Sequence, residues 1–449
     1  PDWRARNGSE DHRCRSSRER DGVCRRRRRH SSAPCAPSGS DVGGAAPDSF
    51  YIDKSVHKNK LFIYDRRHEN NIFNRAGRAR LRLSNDSNVH DFDRKSFVYN
   101  QRRKTGSAFF NQDQGFLLRA GYIIETQGFR KKPYASKHLF YIYYATLWKS
   151  IMFTYNGSFK KALGNNDLSV DFISRGPFNV DNFYGTGNES ILKDRKEETR
   201  KFFQNHYDLV RAEVRLQREL SPVVKFSVGP AVEFYTSASS DNAGKFLTTY
   251  NASYPAERVF SDQFFTGAVA GIDINTKERS LMPYRGIQWK TDLRSMQQLN
   301  GFKNWYMNIF SSFDFYIPIK NSDIVIANRV AGGTTFGYPA FYQQHRLGGP
   351  LNLRGYTVNR FTGKSVFYNN VELRIKLFDF TSYISPGSFG LIGFNDVGRV
   401  WIPKEKSSTW HSGTGGGIYI IPADLVVIQG LVGFSKEGTY PYFSIGFRF

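Results

Sequence analysis

The stretch NWYMNIFSSFDFYI, residues 304–317, decides the fold. Trp305, Met307, Ile309, Phe313, Phe315 and Ile317 alternate with Asn304, Tyr306, Asn308, Ser312, Asp314 and Tyr316. A period of two puts the two sets on opposite faces of one β-strand. One face suits an apolar medium and the other suits water. The pattern recurs elsewhere. Val210, Val214 and Leu216 alternate with Arg211, Glu213, Arg215 and Gln217, and Val371, Leu373, Ile375 and Leu377 alternate with Asn370, Glu372, Arg374 and Lys376. A soluble sandwich also alternates, but it does not need so many strands this long.

Working outward, segments of this kind number sixteen, from 115–127 to 441–449, with the fifth, 182–190, the least regular. An even count is what a single-chain antiparallel barrel requires. Short turns such as Ser221–Val223 and Lys320–Ser322 alternate with longer loops such as 237–262 and 335–364. The expected fold is all-β: a transmembrane antiparallel β-barrel of about 16 strands over residues 113–449.

Composition agrees. The chain of 449 residues has 39 Phe and 25 Tyr, yet its mean hydropathy is only -0.52. A soluble core so rich in Phe would bring more Leu, Ile and Met with it. Barrel strands balance apolar and polar faces and collect aromatics at the membrane interfaces. No apolar run approaches the roughly 18 residues of a spanning helix. The net charge is +24; residues 1–48 hold 11 Arg against 7 acids, or +4, and the remaining +20 is scattered over strands and loops. That distribution fits a basic lumen or basic loops facing anionic lipid headgroups, not a nucleic-acid partner.

The N-terminal quarter differs from the rest. Residues 1–48 contain all three cysteines (Cys14, Cys24, Cys35), the run Arg25–Arg29 and no Lys. Five consecutive arginines fit a nucleic-acid or targeting patch. Without an apolar pattern, the segment reads as a disordered and non-native tail. No leader peptide precedes it, so the chain is expected to be incomplete at its start. Residues 49–112 carry short strand-like pieces, Leu61–Tyr64 and Ala79–Leu83, and read as a linker or the remnant of an upstream domain.

Three motifs follow one another late in the chain: LGGPLNLRGY at 347–356, YNNVELRIKL at 368–377, and FNDVG at 394–398. A loop threaded through a barrel needs an anchor, and a guanidinium offers a fork of donors that a carboxylate accepts bidentately. Gly355 allows a tight turn close to the wall. In this order, on consecutive strands, the motifs resemble the BamA/TamA-type (bacterial surface antigen) superfamily of outer-membrane assembly factors. The resemblance covers 113–449. It implies that the long loop folds into the lumen, that Arg354, Gly355 and Tyr356 form its tip, and that Arg354 docks on Asp396 with Glu372 nearby. The chain end, where Phe443, Ile445, Phe447 and Phe449 alternate with Ser444, Gly446 and Arg448, is similar to the insertion signal read by the outer-membrane assembly machinery.

The resemblance places the protein in the bacterial outer membrane. It implies outer-membrane lipid, the assembly machinery and unfolded client proteins as partners, and insertion, assembly or translocation of proteins as the function. A weak seam between 115–127 and 441–449, marked by Gly446, fits such a role. A second reading remains: FNVDNFYGTGNES, 178–190, looks like barrels that follow a phosphoesterase or patatin-like domain in some Bacteroidetes proteins. The barrel would then anchor a hydrolase or serve as its conduit. No HxH or HExxH spacing, no Gly-x-Ser-x-Gly elbow and no catalytic constellation occurs, so no metal, cofactor or enzymatic activity is expected. The Gly413–Gly417 run lies inside a strand and reads as packing.

Overall fold

The computed structural model describes residues 98–447 apart from 129–130, 191, 193–195, 279–280, 302–303, 321 and 382–384, with short stretches before residue 98. The chain divides into two units, Pro1–Val98 and Tyr99–Phe449.

In the first unit, Ser49–Ile52 pairs antiparallel with Val23–Arg26 and parallel with Ile72–Asn74. Leu61–Asp65 pairs parallel with Gly39–Val42 and with Arg80–Leu83. Phe50 and Ile63 are buried, and the Phe50 ring stacks on Phe73. Most of the tail 1–48 lies outside the described residues, but Val23–Arg26 and Gly39–Val42 are strands within the segment expected to be disordered.

The second unit is a closed antiparallel barrel of sixteen strands. In chain order they are β1 Gln101–Asn111, β2 Gly115–Gly128, β3 Lys131–Ala145, β4 Ser150–Leu163, β5 Asn166–Arg175, β6 Asp208–Ser221, β7 Val224–Thr236 and β8 Gln263–Asn275. They continue as β9 Gly286–Gln298, β10 Trp305–Lys320, β11 Ile324–Gly337, β12 Ser365–Thr381, β13 Pro386–Trp401, β14 His411–Pro422, β15 Val426–Ser435 and β16 Gly438–Phe447. The alternation read from the sequence sorts the side chains. Val214, Ile272, Phe313, Leu373 and Ile418 stand exposed on the outer wall. Glu213, Glu233, Asp314 and Asp396 are buried inside. An apolar band of that extent is stable only against another apolar phase. Among the described residues no helix is long and apolar enough to cross a membrane.

The count of sixteen holds, but its membership changes. The first strand is Gln101–Asn111, inside the stretch read as a linker, so the barrel begins twelve residues before 113. Its Arg102, Arg103 and Lys104 in succession hide the period of two. The expected fifth strand, 182–190, is not in the wall. Val180–Asn182 pairs with Gln204–His206 in a long loop. Val180 to Tyr184 are all buried, so the segment has no polar face to alternate, and Gly185 and Gly187 turn the chain with φ of 92° and 119°.

The long connections 176–207, 237–262 and 338–364 gather at one end. There α1 (Glu197–Phe203) and α2 (Phe246–Ser253) build a cap with its own apolar core of Phe183, Tyr207, Tyr235, Leu247 and Phe341.

Candidate functional site

The connection 338–364 enters the lumen. Its stem is a short antiparallel ladder between His345–Leu347 and Phe361–Gly363. Leu347, Leu353, Tyr356 and Phe361 pack against Ala331, Val366 and Val400 of the wall. Burial of these apolar side chains holds the loop inward, where a polar loop would stay in solvent. Gly348, Gly349 and Gly355 adopt φ of 126°, 93° and 91°, which strongly favour glycine.

Arg354 is the centre of the site. Its Nε and Nη2 donate to Asp396 Oδ2 and Oδ1, each at 2.7 Å, and its backbone N–H donates to Oδ2 at 2.9 Å. Its Nη1 donates to Glu372 Oε1 at 2.7 Å. The guanidinium lies 3.7 Å from the centre of the Phe394 ring. Asp396 is fully buried and Arg354 is 6% exposed, so the pair is desolvated. Burial alone would lower the arginine pKa, but Asp396 and Glu372 carry it above its ordinary value. The cation is thus fixed. Glu372 accepts in turn from Arg374 at 2.7 Å and 3.0 Å.

The wall is shaped to admit this backbone. A Cβ on Gly413 would lie 1.7 Å from the Arg354 carbonyl oxygen, so only glycine fits there. Gly355 donates its N–H to Tyr442 Oη at 2.9 Å, and its carbonyl accepts from Ser435 Oγ. Tyr356 lies edge-on to Phe361 and His411, with its hydroxyl donating to the Ser412 carbonyl at 3.4 Å. The structure therefore brings together Arg354, Gly355, Tyr356, Glu372 and Asp396.

The C-terminal strand residues stand apart from this cluster. Inward Tyr442 puts Phe443 and Ile445 on the outer face, where they pair across the closure with Phe110 and Ala108. Gly446 and Phe447 pair with Val427 and Val426 of β15. Phe449 lies outside the described residues. Closure is between β16 and β1, not between β16 and 115–127 as expected, because β1 intervenes. Among the described residues that ladder has three residue pairs, Phe443–Phe110, Ser444–Phe109 and Ile445–Ala108.

Sequence reading missed several residues that hold the loop. Tyr442 shows in the sequence only as an inward position of the last strand. Asp113, in the β1–β2 turn, gives no signal at all; its carboxylate accepts from Val358 N–H at 2.7 Å. The connection between β8 and β9 carries no motif in the sequence. It folds inward, with Met282 against the cluster that includes Phe394 and Tyr442, and with the Pro283 carbonyl 3.4 Å from Arg374 Nη1. Among the described residues no group of three or more His, Cys, Asp or Glu is placed to hold a metal ion.

A closed barrel with an apolar exterior, a charged lumen and a long loop pinned inside by one arginine and two carboxylates defines an outer-membrane β-barrel with a lumenal plug. Residues 67–423 match the Omp85 superfamily domain, and the chain belongs to that superfamily. Among solved structures it is similar to BamA from Haemophilus ducreyi lacking POTRA domains 1–3, with 13% identity, a TM-score of 0.55, and coverage of 77% of this chain and 70% of that one. It is also similar to CdiB from Acinetobacter baumannii, with 12% identity, a TM-score of 0.47, and coverage of 77% and 59%. The BamA likeness concerns the fold. No curated protein matches the sequence.

Proposed function

We propose that this barrel inserts, assembles or translocates proteins at the bacterial outer membrane by parting at the β16–β1 seam. The short seam ladder is the observation that carries this reading. Unpaired backbone groups facing lipid are costly, so strand edges parted there favour pairing with an incoming strand. Unfolded client strands are the partners, outer-membrane lipid is the surrounding phase, and the C-terminal residues from Phe443 to Phe449 carry the signal for the protein's own insertion. Arg354, Glu372 and Asp396 keep the plug docked while the seam works.

Ala108 and Ile445 are paired directly across the seam, so cysteines at these two positions test the reading. In liposomes the reduced double variant should speed insertion of a small unfolded barrel, and the oxidised form should not. Equal activity in both states would refute opening at the seam and favour a barrel that anchors or serves a hydrolase. No acceleration in the reduced form would remove the assembly reading.

A further inference from the structure

The seam ladder stops short, and the plug takes over where it ends. In the β16–β1 register the last pair toward the loop end is Phe443–Phe110. The next inward side chain on β16 is Tyr442, and its hydroxyl holds Gly355 N–H at 2.9 Å. On the other side of the seam β1 ends at Asn111, and the turn that follows carries Asp113. The Asp113 carboxylate holds Val358 N–H at 2.7 Å and is itself 4% exposed. Val358 also packs beside Ala145, Trp148 and Val180, on the β1 side of the barrel. Two backbone donors three residues apart in the plug are therefore bound to opposite sides of one seam.

We infer that plug residues Gly355–Val358 are an internal strap across the seam, with Tyr442 and Asp113 as its two positioning residues. The strap replaces ladder bonds that the offset of β16 and β1 leaves unmade. Its bonds break independently of the ladder: releasing Val358 from Asp113 removes the plug's hold on the β1 side while Arg354 keeps the loop fixed to β13. Charge favours the bond, since an ionised carboxylate accepts from an amide more strongly than a neutral group does. This inference rests on the seam-opening reading and assigns control of the opening to the plug.

The test uses the full chain in liposomes with Cys14, Cys24 and Cys35 replaced by Ser and spin labels at Ala108 and Ile445. Distances across the seam are read by pulsed electron resonance, with a control pair at Leu373 and Gly393, register partners in β12 and β13. Asp113→Ala should raise the population of separated seams on the order of 2- to 30-fold, the range typical of coupling residues. Asp113→Asn keeps an acceptor oxygen but loses the charge, and should fall between the parent and Asp113→Ala. Val358→Pro removes the donor from the other side and should reproduce Asp113→Ala, which keeps the test open if that variant folds poorly. The control pair should not move. A seam unchanged in both Asp113→Ala and Val358→Pro, but loosened by Arg354→Ala, would overturn the strap and leave seam opening standing. A seam unchanged in all three would count against opening itself.

Discussion

Two wall segments flank the same plug and differ sharply. β12 and β13 pair along their whole length, from Ser365–Trp401 to Thr381–Pro386, with one shift near Lys376. β16 and β1 share three pairs among the described residues. The first segment also carries Glu372 and Asp396, the two carboxylates that grip Arg354. The loop is therefore held by buried charge to the strongest part of the wall and by two backbone hydrogen bonds across the weakest. Rigidity and freedom are separated in space. In the proposed opening, the short ladder is where the wall parts with the fewest hydrogen bonds to break.

The largest effect should come from breaking the rigid side. Arg354→Ala leaves Asp396 buried without its counter-ion, a loss of about 3–5 kcal/mol for a dry pair. Heat-modifiable migration on gels should shift to lower temperature, and the plug should become accessible to protease. Unchanged migration and protection would mean that the anchor is wet and weak.

Acid should loosen the stem next. His345 is buried and bonded to Asn308 at 3.1 Å, and burial pushes its pKa down to about 4. The unfolded chain protonates near pH 6.5, so the native loop binds fewer protons between these values. Stability is thus full above about pH 6.5 and falls as the pH drops to about 4, by up to about 3 kcal/mol. Protease protection of the plug, followed from pH 7 to pH 4, checks the sign. His345→Asn should flatten the profile.

Two glycines sharpen the contrast at smaller scale. Gly413→Ala collides with the Arg354 carbonyl and should cost about 1–3 kcal/mol, seen as a lower unfolding midpoint. Gly446→Ala, near the seam, meets nothing within 4 Å and should stay within about 0.5 kcal/mol of the parent. Equal effects at the two positions would erase the difference between wall and seam.

The sequence by itself determined the barrel, the even strand count and the lumenal face. These follow from local rules. A period of two survives in any strand whose faces meet different solvents. The pairing of Arg354 with Asp396 and Glu372 was legible only through the resemblance of the three motifs to the family. The Gly413–Gly417 run was also legible as packing, although the carbonyl it accommodates was not.

Only the tertiary structure decided where the barrel closes. The first half of β1 is polar, and its three adjacent basic residues hide the lipid-facing alternation that Ala108 and Phe110 continue. It becomes a wall strand because β2 offers it a complete ladder from Gln101–Glu125 to Asn111–Gly115. Segment 182–190 imitated a strand, but from Asn182 to Gly185 both of its faces are buried in the loop cap, an environment that no local pattern reveals. Asp113 and Tyr442 belong to one device because the register of β16 against β1 places them on either side of the gap. Register is a relation between segments more than 300 residues apart, set by closure of the whole ring.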